Sequence, residues 1–202
     1  MRPADTRWKV LLIGGSSGVG KSSVVKQLGK QFGLPWLAVD DLRLAFQRSH
    51  VILPDNTEAL SFFEKTPHVW SLPPEHLRDK LITLGQVMSP ALEVVIENHV
   101  ETDDPLLIEG DAILPSLLPR LSHARLVRAF FLVEPDEELL LAHMDIRYRV
   151  RAHHEEAQLR AMAHVRWLHG LWLAEEARRY GLPVLKPHPW GTLAERIAAA
   201  LQ

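Results

Sequence analysis

The sequence predicts an α/β fold with a parallel, doubly wound sheet, from three observations. Short apolar runs rich in β-formers recur along the chain, stretches of helical periodicity separate them, and the first run stops in a glycine-rich turn that opens a helix. With 202 residues, 47% of them hydrophobic, the chain is long enough to bury a core as one domain without disulfide or metal staples. It contains no cysteine, which removes disulfide frameworks, thiolate metal sites and cysteine nucleophiles, and fits a reducing, cytoplasmic compartment. A formal net charge of -2 offers no broad basic face, so a nucleic-acid partner is disfavoured. No apolar stretch approaches the roughly 20 residues needed to span a bilayer, and the N-terminus lacks the basic-then-apolar order of a signal peptide. No repeat or low-complexity segment interrupts the chain.

Residues 9–13 read K-V-L-L-I, the pattern of a buried parallel strand. The next stretch, 21–32, places Val24, Val25, Leu28 and Phe32 at helical spacing and stops at Gly33. Pro35 separates it from a second strand at 36–39, which ends at Asp40 and Asp41. Leu42, Ala45 and Phe46 then predict a helix capped by one of these aspartates. Pro54, Pro67, Pro73 and Pro74 break any long element between 50 and 74, which predicts loops and short helical pieces, and residues 75–101 return to helix. A third strand at 105–108 ends in Glu109, Gly110 and Asp111, and a fourth lies within 125–133. Helical pattern fills most of the remainder until a fifth strand at 184–186, the turn Pro187-His188-Pro189-Trp190, and a last helix over 192–201.

The strongest signal is the turn after the first strand. Gly15, Ser16, Ser17, Gly18, Val19, Gly20, Lys21 and Ser22 fit G-x-x-x-x-G-K-[ST], between a strand and a helix as the pattern requires. Its glycines let the backbone curl so that amides point inward, and the helix N-terminus adds positive potential for a polyphosphate. Lys21 is expected on the β- and γ-phosphates of ATP and Ser22 on Mg²⁺, with Ser23 an ordinary first-turn residue beside them.

Phosphoryl transfer needs an acceptor hydroxyl held in line and charge neutralised on the migrating group, so the ends of neighbouring strands are where acceptor residues belong. Asp40 is the first candidate for the base and for holding the acceptor hydroxyl, with helix capping as its alternative role; Arg43 follows on the same turn. Glu109 is the second, either ordering a Mg²⁺-bound water or acting as the base, against the alternative of a solvated loop carboxylate. Asp111 ranks behind both. Arg147, Arg149 and Arg151 suit a lid over the triphosphate, Arg147 and Arg151 sharing a helix face, although a solvated basic face would look the same. His153-His154-Glu155-Glu156 lacks metal-ligand spacing, so zinc is rejected. Trp167, Leu168, Leu171 and Trp172 read as a core face, and the surface over 168–173 would serve a homodimer contact equally well. Trp190, among prolines after the last strand, suits the flank of an adenine or plain packing.

Three segments carry a resemblance to a known family: L-I-G-G-S-S-G-V-G-K-S-S at 12–23, V-D-D-L-R at 39–43 and I-E-G-D-A-I-L-P at 108–115. On these the chain resembles the P-loop small-molecule kinases, including shikimate and gluconate kinases, and looks closest to the 2-phosphoglycerate kinase-like group. The resemblance implies the P-loop NTPase fold, a parallel five-stranded sheet of adenylate-kinase type with a helical lid around 145–165 and an acceptor-side helical segment over 50–100. It also implies that Asp40 and Arg43 face the acceptor, joined there by Arg151, and that the lid arginines, Arg147 among them, act in transfer. Arg43 and the lid arginines favour an anionic acceptor such as a hydroxy acid or phosphoglycerate. The rival reading is a P-loop ATPase or nucleotide-binding regulatory protein with no small-molecule acceptor, against which stands the lack of an N-K-x-D stretch for guanine.

Overall fold

The computed structural model describes residues 8–49, 56–149 and 156–201. Among them five strands form one sheet: β1 (Val10–Gly15), β2 (Trp36–Ala38), β3 (Leu106–Gly110), β4 (Val127–Leu132) and β5 (Val184–Leu185). Their order is β2-β3-β1-β4-β5, with every neighbouring pair parallel. This is the parallel five-stranded α/β sheet that the alternating pattern predicts. The chain leaves β1 toward β2 on one side and leaves β4 toward β5 on the other, so the C-terminal end of β1 lies where ligands enter sheets of this kind.

The alternation of side chains along the strands divides the core in two. Val10 and Leu12 of β1 join Leu106, Ile108, Ala129 and Phe131 on one face, covered by Leu84, Met88, Leu92 and Ile96 of α4 (Pro74–Glu101). Leu11 and Ile13 join Leu107, Phe130 and Leu132 on the other, covered by Val24, Val25 and Leu28 of α1 (Lys21–Phe32) and by Leu193 and Ile197 of α7 (Leu193–Ala200). All of β1 is buried, which explains why it reads as a continuous apolar run instead of an alternating one.

Between β2 and α4, the described part of the proline-broken stretch is a 3₁₀ turn (Thr57–Ser61), the short helix α3 (Phe62–Lys65) and a second 3₁₀ turn (Val69–Ser71), as the prolines predict. Two expectations are corrected. Helix α2 (Val39–Arg48) starts at Val39 with Ala38 as its N-cap and no side-chain cap, so neither aspartate caps it. Asp40 and Asp41 lie instead in its first turn, where their charge meets the positive end of the helix. On α6 (Glu156–Arg179) the buried face is Leu159, Met162, Val165, His169, Gly170 and Leu173; of the four residues expected to form a core face, Trp167, Leu168, Leu171 and Trp172, all are only half-buried, with Trp167 and Trp172 packed against the two halves of the core. That helix packs against α5 (Glu137–Arg149) and against α4. No helix among the described residues is long and apolar enough to cross a membrane.

Candidate active site

The turn between β1 and α1 carries the predicted phosphate loop, and two of its glycines admit no substitute. A Cβ on Gly15 (φ +140°) would overlap the Leu132 carbonyl, and one on Gly20 (φ +81°) would overlap the indole of Trp190. Trp190 thus lies against the loop, with His143 and His188 edge-on to its ring at 5.1 and 5.0 Å. His188 in turn pairs through Nδ1 with the buried Glu134 at 3.0 Å. Gly20→Ala is expected to lower stability by about 1–3 kcal/mol and weaken nucleotide binding, since it combines a strained backbone with a clash; thermal unfolding and ATP titration would check both.

Lys21 opens α1, is buried, and donates from Nζ to the Ser16 carbonyl at 2.8 Å. Burial pushes its pKa down, and the carboxylates of Asp111, Glu109 and Asp40 work against that shift. Ser22 donates from Oγ to Glu109 at 2.6 Å, and Ser17 donates to Asp111 Oδ2 at 3.1 Å. The C-terminal end of β3 therefore holds the loop at two serines. Ser23 is exposed beside them. The hydroxyl of Ser22 and the carboxylate of Glu109 are hard oxygen donors next to a phosphate-shaped cradle, a donor set that fits Mg²⁺ retaining several of its waters.

Beside the loop opens a cavity of about 350 Å³. Its polar lining includes Ser17, Asp40, Arg43, Asp111 and Arg166, and Leu60, Phe63 and Leu81 contribute an apolar wall. Asp40 and Arg43, predicted to stand together, do so: Arg43 Nε lies 3.3 Å from Asp40 Oδ1. Arg43 also donates to Gln47 at 3.1 Å and to the Leu60 carbonyl at 3.4 Å. The side chains of Arg147 and Arg149, and the whole of Arg151, lie outside the described residues.

Two residues that the sequence did not single out stand on α6 in this region, and one of them, Arg166, lines the cavity. Arg166, on α6, donates from NH1 to Asp111 Oδ2 at 3.0 Å, both side chains being only 14% exposed. Burial would raise the Asp111 pKa, but Arg166 and then Lys21 outweigh it and hold the carboxyl down at about 2. One turn further along α6, His169 is fully buried, stacks on Trp172, and has no hydrogen-bond partner on either ring nitrogen among the described residues. Burial lowers its pKa to about 3; Asp111 pulls the other way, while Arg166 and Lys21 add to the burial effect. The next residue, Gly170, faces Ser16 of the loop. No local spacing marks Arg166 or His169, because both reach the site only through the packing of α6.

Solved structures share this fold. A gluconokinase from Sinorhizobium meliloti 1021 superposes over 100% of this chain and 93% of its own, with a TM-score of 0.53 and 17% identity. A shikimate kinase from Acinetobacter baumannii, solved with shikimate, superposes over 97% and 94% with a TM-score of 0.50 and 14% identity. This is the fold of the P-loop small-molecule kinases. The resemblance drawn from the three sequence segments extends to a curated relative, the 2-phosphoglycerate kinase of Methanocaldococcus jannaschii, which is 27% identical over 184 residues. That alignment takes in 88% of this chain but 58% of the relative, so the chain spans little more than half the length of the protein it matches. No protein-family model matches the chain. Within the P-loop kinase fold, the cavity beside Ser17 occupies the side of the phosphate loop where strands β2 and β3 end.

Proposed function

We propose that the protein is an ATP-dependent kinase that transfers the γ-phosphoryl group to a hydroxyl of a small anionic metabolite. The observation that carries this reading is the position of Ser17, which belongs both to the phosphate loop and to a cavity lined by three carboxylates, Asp40, Glu64 and Asp111, and two arginines, Arg43 and Arg166. A site built only to bind or hydrolyse a nucleotide has no need of such a chamber beside the terminal phosphate. The kinase name of the M. jannaschii relative supports the same chemistry.

In this reading the amides of the loop and Lys21 hold the phosphates, and Ser22 with Glu109 holds the metal position. Mg²⁺, when bound there, neutralises charge on the phosphate oxygens. Glu109 is engaged by Ser22, which leaves Asp40 as the group that takes the proton of the acceptor hydroxyl. The acceptor oxygen forms a bond to the γ-phosphorus, the bond from that phosphorus to the β,γ-bridging oxygen breaks, and ADP leaves with the bridging oxygen. Arg147 and Arg151 are assigned to the lid, and Arg43 and Arg166 to the acceptor.

The test is Mg·ATP turnover against hydroxy acids, sugars and nucleosides, with ADP and phosphorylated acceptor both measured. Stoichiometric formation of the two supports the kinase; ADP without phosphorylated acceptor makes the protein an ATPase. Asp40→Asn is expected to leave ATP affinity within about twofold and to lower kcat by roughly 10²-fold. Unchanged kcat in that variant removes Asp40 from the chemistry.

A further inference from the structure

The phosphate loop is braced from behind by the turn between β5 and α7, on the side away from the acceptor cavity. Trp190 fills the space that a Cβ on Gly20 would need, so its indole touches the backbone of the residue that caps α1 and immediately precedes Lys21. Gly20 stands at φ +81°, in a region that glycine enters and leaves freely. A rigid ring held against it removes conformations that the loop would otherwise have to give up when the phosphates arrive.

The turn that carries Trp190 has little of its own to hold its shape. Pro187 and Pro189 contribute no amide donors. Its carbonyls are met instead by one side chain of the neighbouring helix. Arg196, in the first turn of α7, donates from NH1 to the Lys186 carbonyl at 3.0 Å and from NH2 to those of Pro187 and Pro189 at 3.1 and 3.5 Å. Among the described residues no carboxylate pairs with Arg196, so its charge is spent on main-chain oxygen alone. A planar guanidinium offers its donors at fixed angles and so sets the spacing of the carbonyls it bonds, which the point charge of an ammonium does less well. On the other flank of the turn, His188 is tied to Glu134 just beyond the end of β4, and His143 of α5 closes on the edge of the indole.

We infer that Arg196 is a positioning residue for the nucleotide. By clasping the carbonyls of the turn it keeps Trp190 against Gly20, and the loop is thereby preset for the phosphates before ATP binds. The inference rests on the binding of ATP by the loop and not on the transfer step, so the two can fail separately.

The test measures ATP affinity of the whole chain by calorimetry, with Mg·ATP and no acceptor, for Arg196→Met, Arg196→Lys, Trp190→Leu and the double variant Arg196→Met with Trp190→Leu. Arg196→Met is expected to weaken ATP about 10-fold, and Arg196→Lys, which keeps the charge and part of the carbonyl bonding, about 3-fold. In the double variant the two losses should not add, because the second change breaks a connection that the first has already broken. Ile197→Val is the control for plain loss of stability. It loosens α7 in the core without removing a bond to the turn, and its ATP affinity should stay within about twofold of the parent.

Parental ATP affinity in folded Arg196→Met overturns the inference. Additive losses in the double variant do so as well, as does a loss in Ile197→Val equal to that in Arg196→Met. Where Arg196→Met does not fold at the assay temperature, Arg196→Lys and its combination with Trp190→Leu carry the same comparison, and parental affinity there overturns the inference again. Coupled losses of ATP affinity in a chain that phosphorylates no acceptor sustain the role of Arg196 and overturn the kinase reading. A parent chain that binds no ATP overturns both.

Discussion

Lys21→Met is expected to lower phosphoryl transfer by about 10³-fold or more and to weaken ATP binding at least about 10-fold, with thermal unfolding displaced by only a few degrees. The side chain is buried at the first position of α1 and held by the Ser16 carbonyl, so its ammonium is pre-placed in the loop and needs no reorganisation to meet a phosphate. Three carboxylates, Asp111, Glu109 and Asp40, surround it at range. Without the lysine that field would face the triphosphate directly, which is why the loss should appear in both affinity and rate. Met keeps the length and apolar stem of the side chain, and so separates the charge from the packing. Steady-state kinetics with ATP titration would check this; transfer within about tenfold of the parent would remove Lys21 from the phosphates.

The second large effect is a loss of folding stability in mild acid. In the unfolded chain His169 takes up a proton near its ordinary pKa of 6.5, whereas in the folded protein burial defers this to about 3. Between those values the unfolded state binds more protons, so stability falls as the pH falls, by on the order of 5 kcal/mol over the whole interval. Asp111 has the same sign but a lower window. Its folded pKa of about 2 lies below the ordinary 3.8, so the stability it contributes is complete above 3.8 and is lost as the pH drops toward 2. His169→Leu, of similar volume, should therefore flatten the stability profile between about pH 6.5 and 4 and leave the steeper loss below it. Denaturant unfolding at pH 7, 5.5 and 4.5 would reveal this; parallel profiles for parent and variant would mean that His169 is protonated in the folded state.

The sequence made the strands and the phosphate loop legible for a physical reason. A strand buried on both faces must be apolar throughout, as Val10–Gly15 is, and a backbone that curls around phosphates must be glycine-rich. The pair Asp40 and Arg43 was legible because both stand on one turn just after β2. The expected cap failed there because the chain enters helix at Val39, two residues earlier than an Asp40 cap would allow. Arg166 and His169 were illegible, since their roles arise where α6 crosses the mouth of the sheet, and nothing near them in sequence encodes that crossing. Asp111 fell between these cases. Its place after β3 was evident, but its weight comes from Ser17 and Arg166, 94 and 55 residues away.

The two serine bonds made by the end of β3 mean that the loop is not a portable cassette. Transplanting G-S-S-G-V-G-K-S to another strand–helix junction would carry the glycines that permit the curl and leave behind Glu109 and Asp111, which hold Ser22 and Ser17 from the neighbouring strand. A working graft would have to bring E-G-D in register beside it, with Gly110 opposite Gly14 as here. The heritable unit of this site is thus a pair of strand ends, and variation in either half should be tolerated only when the other half changes with it.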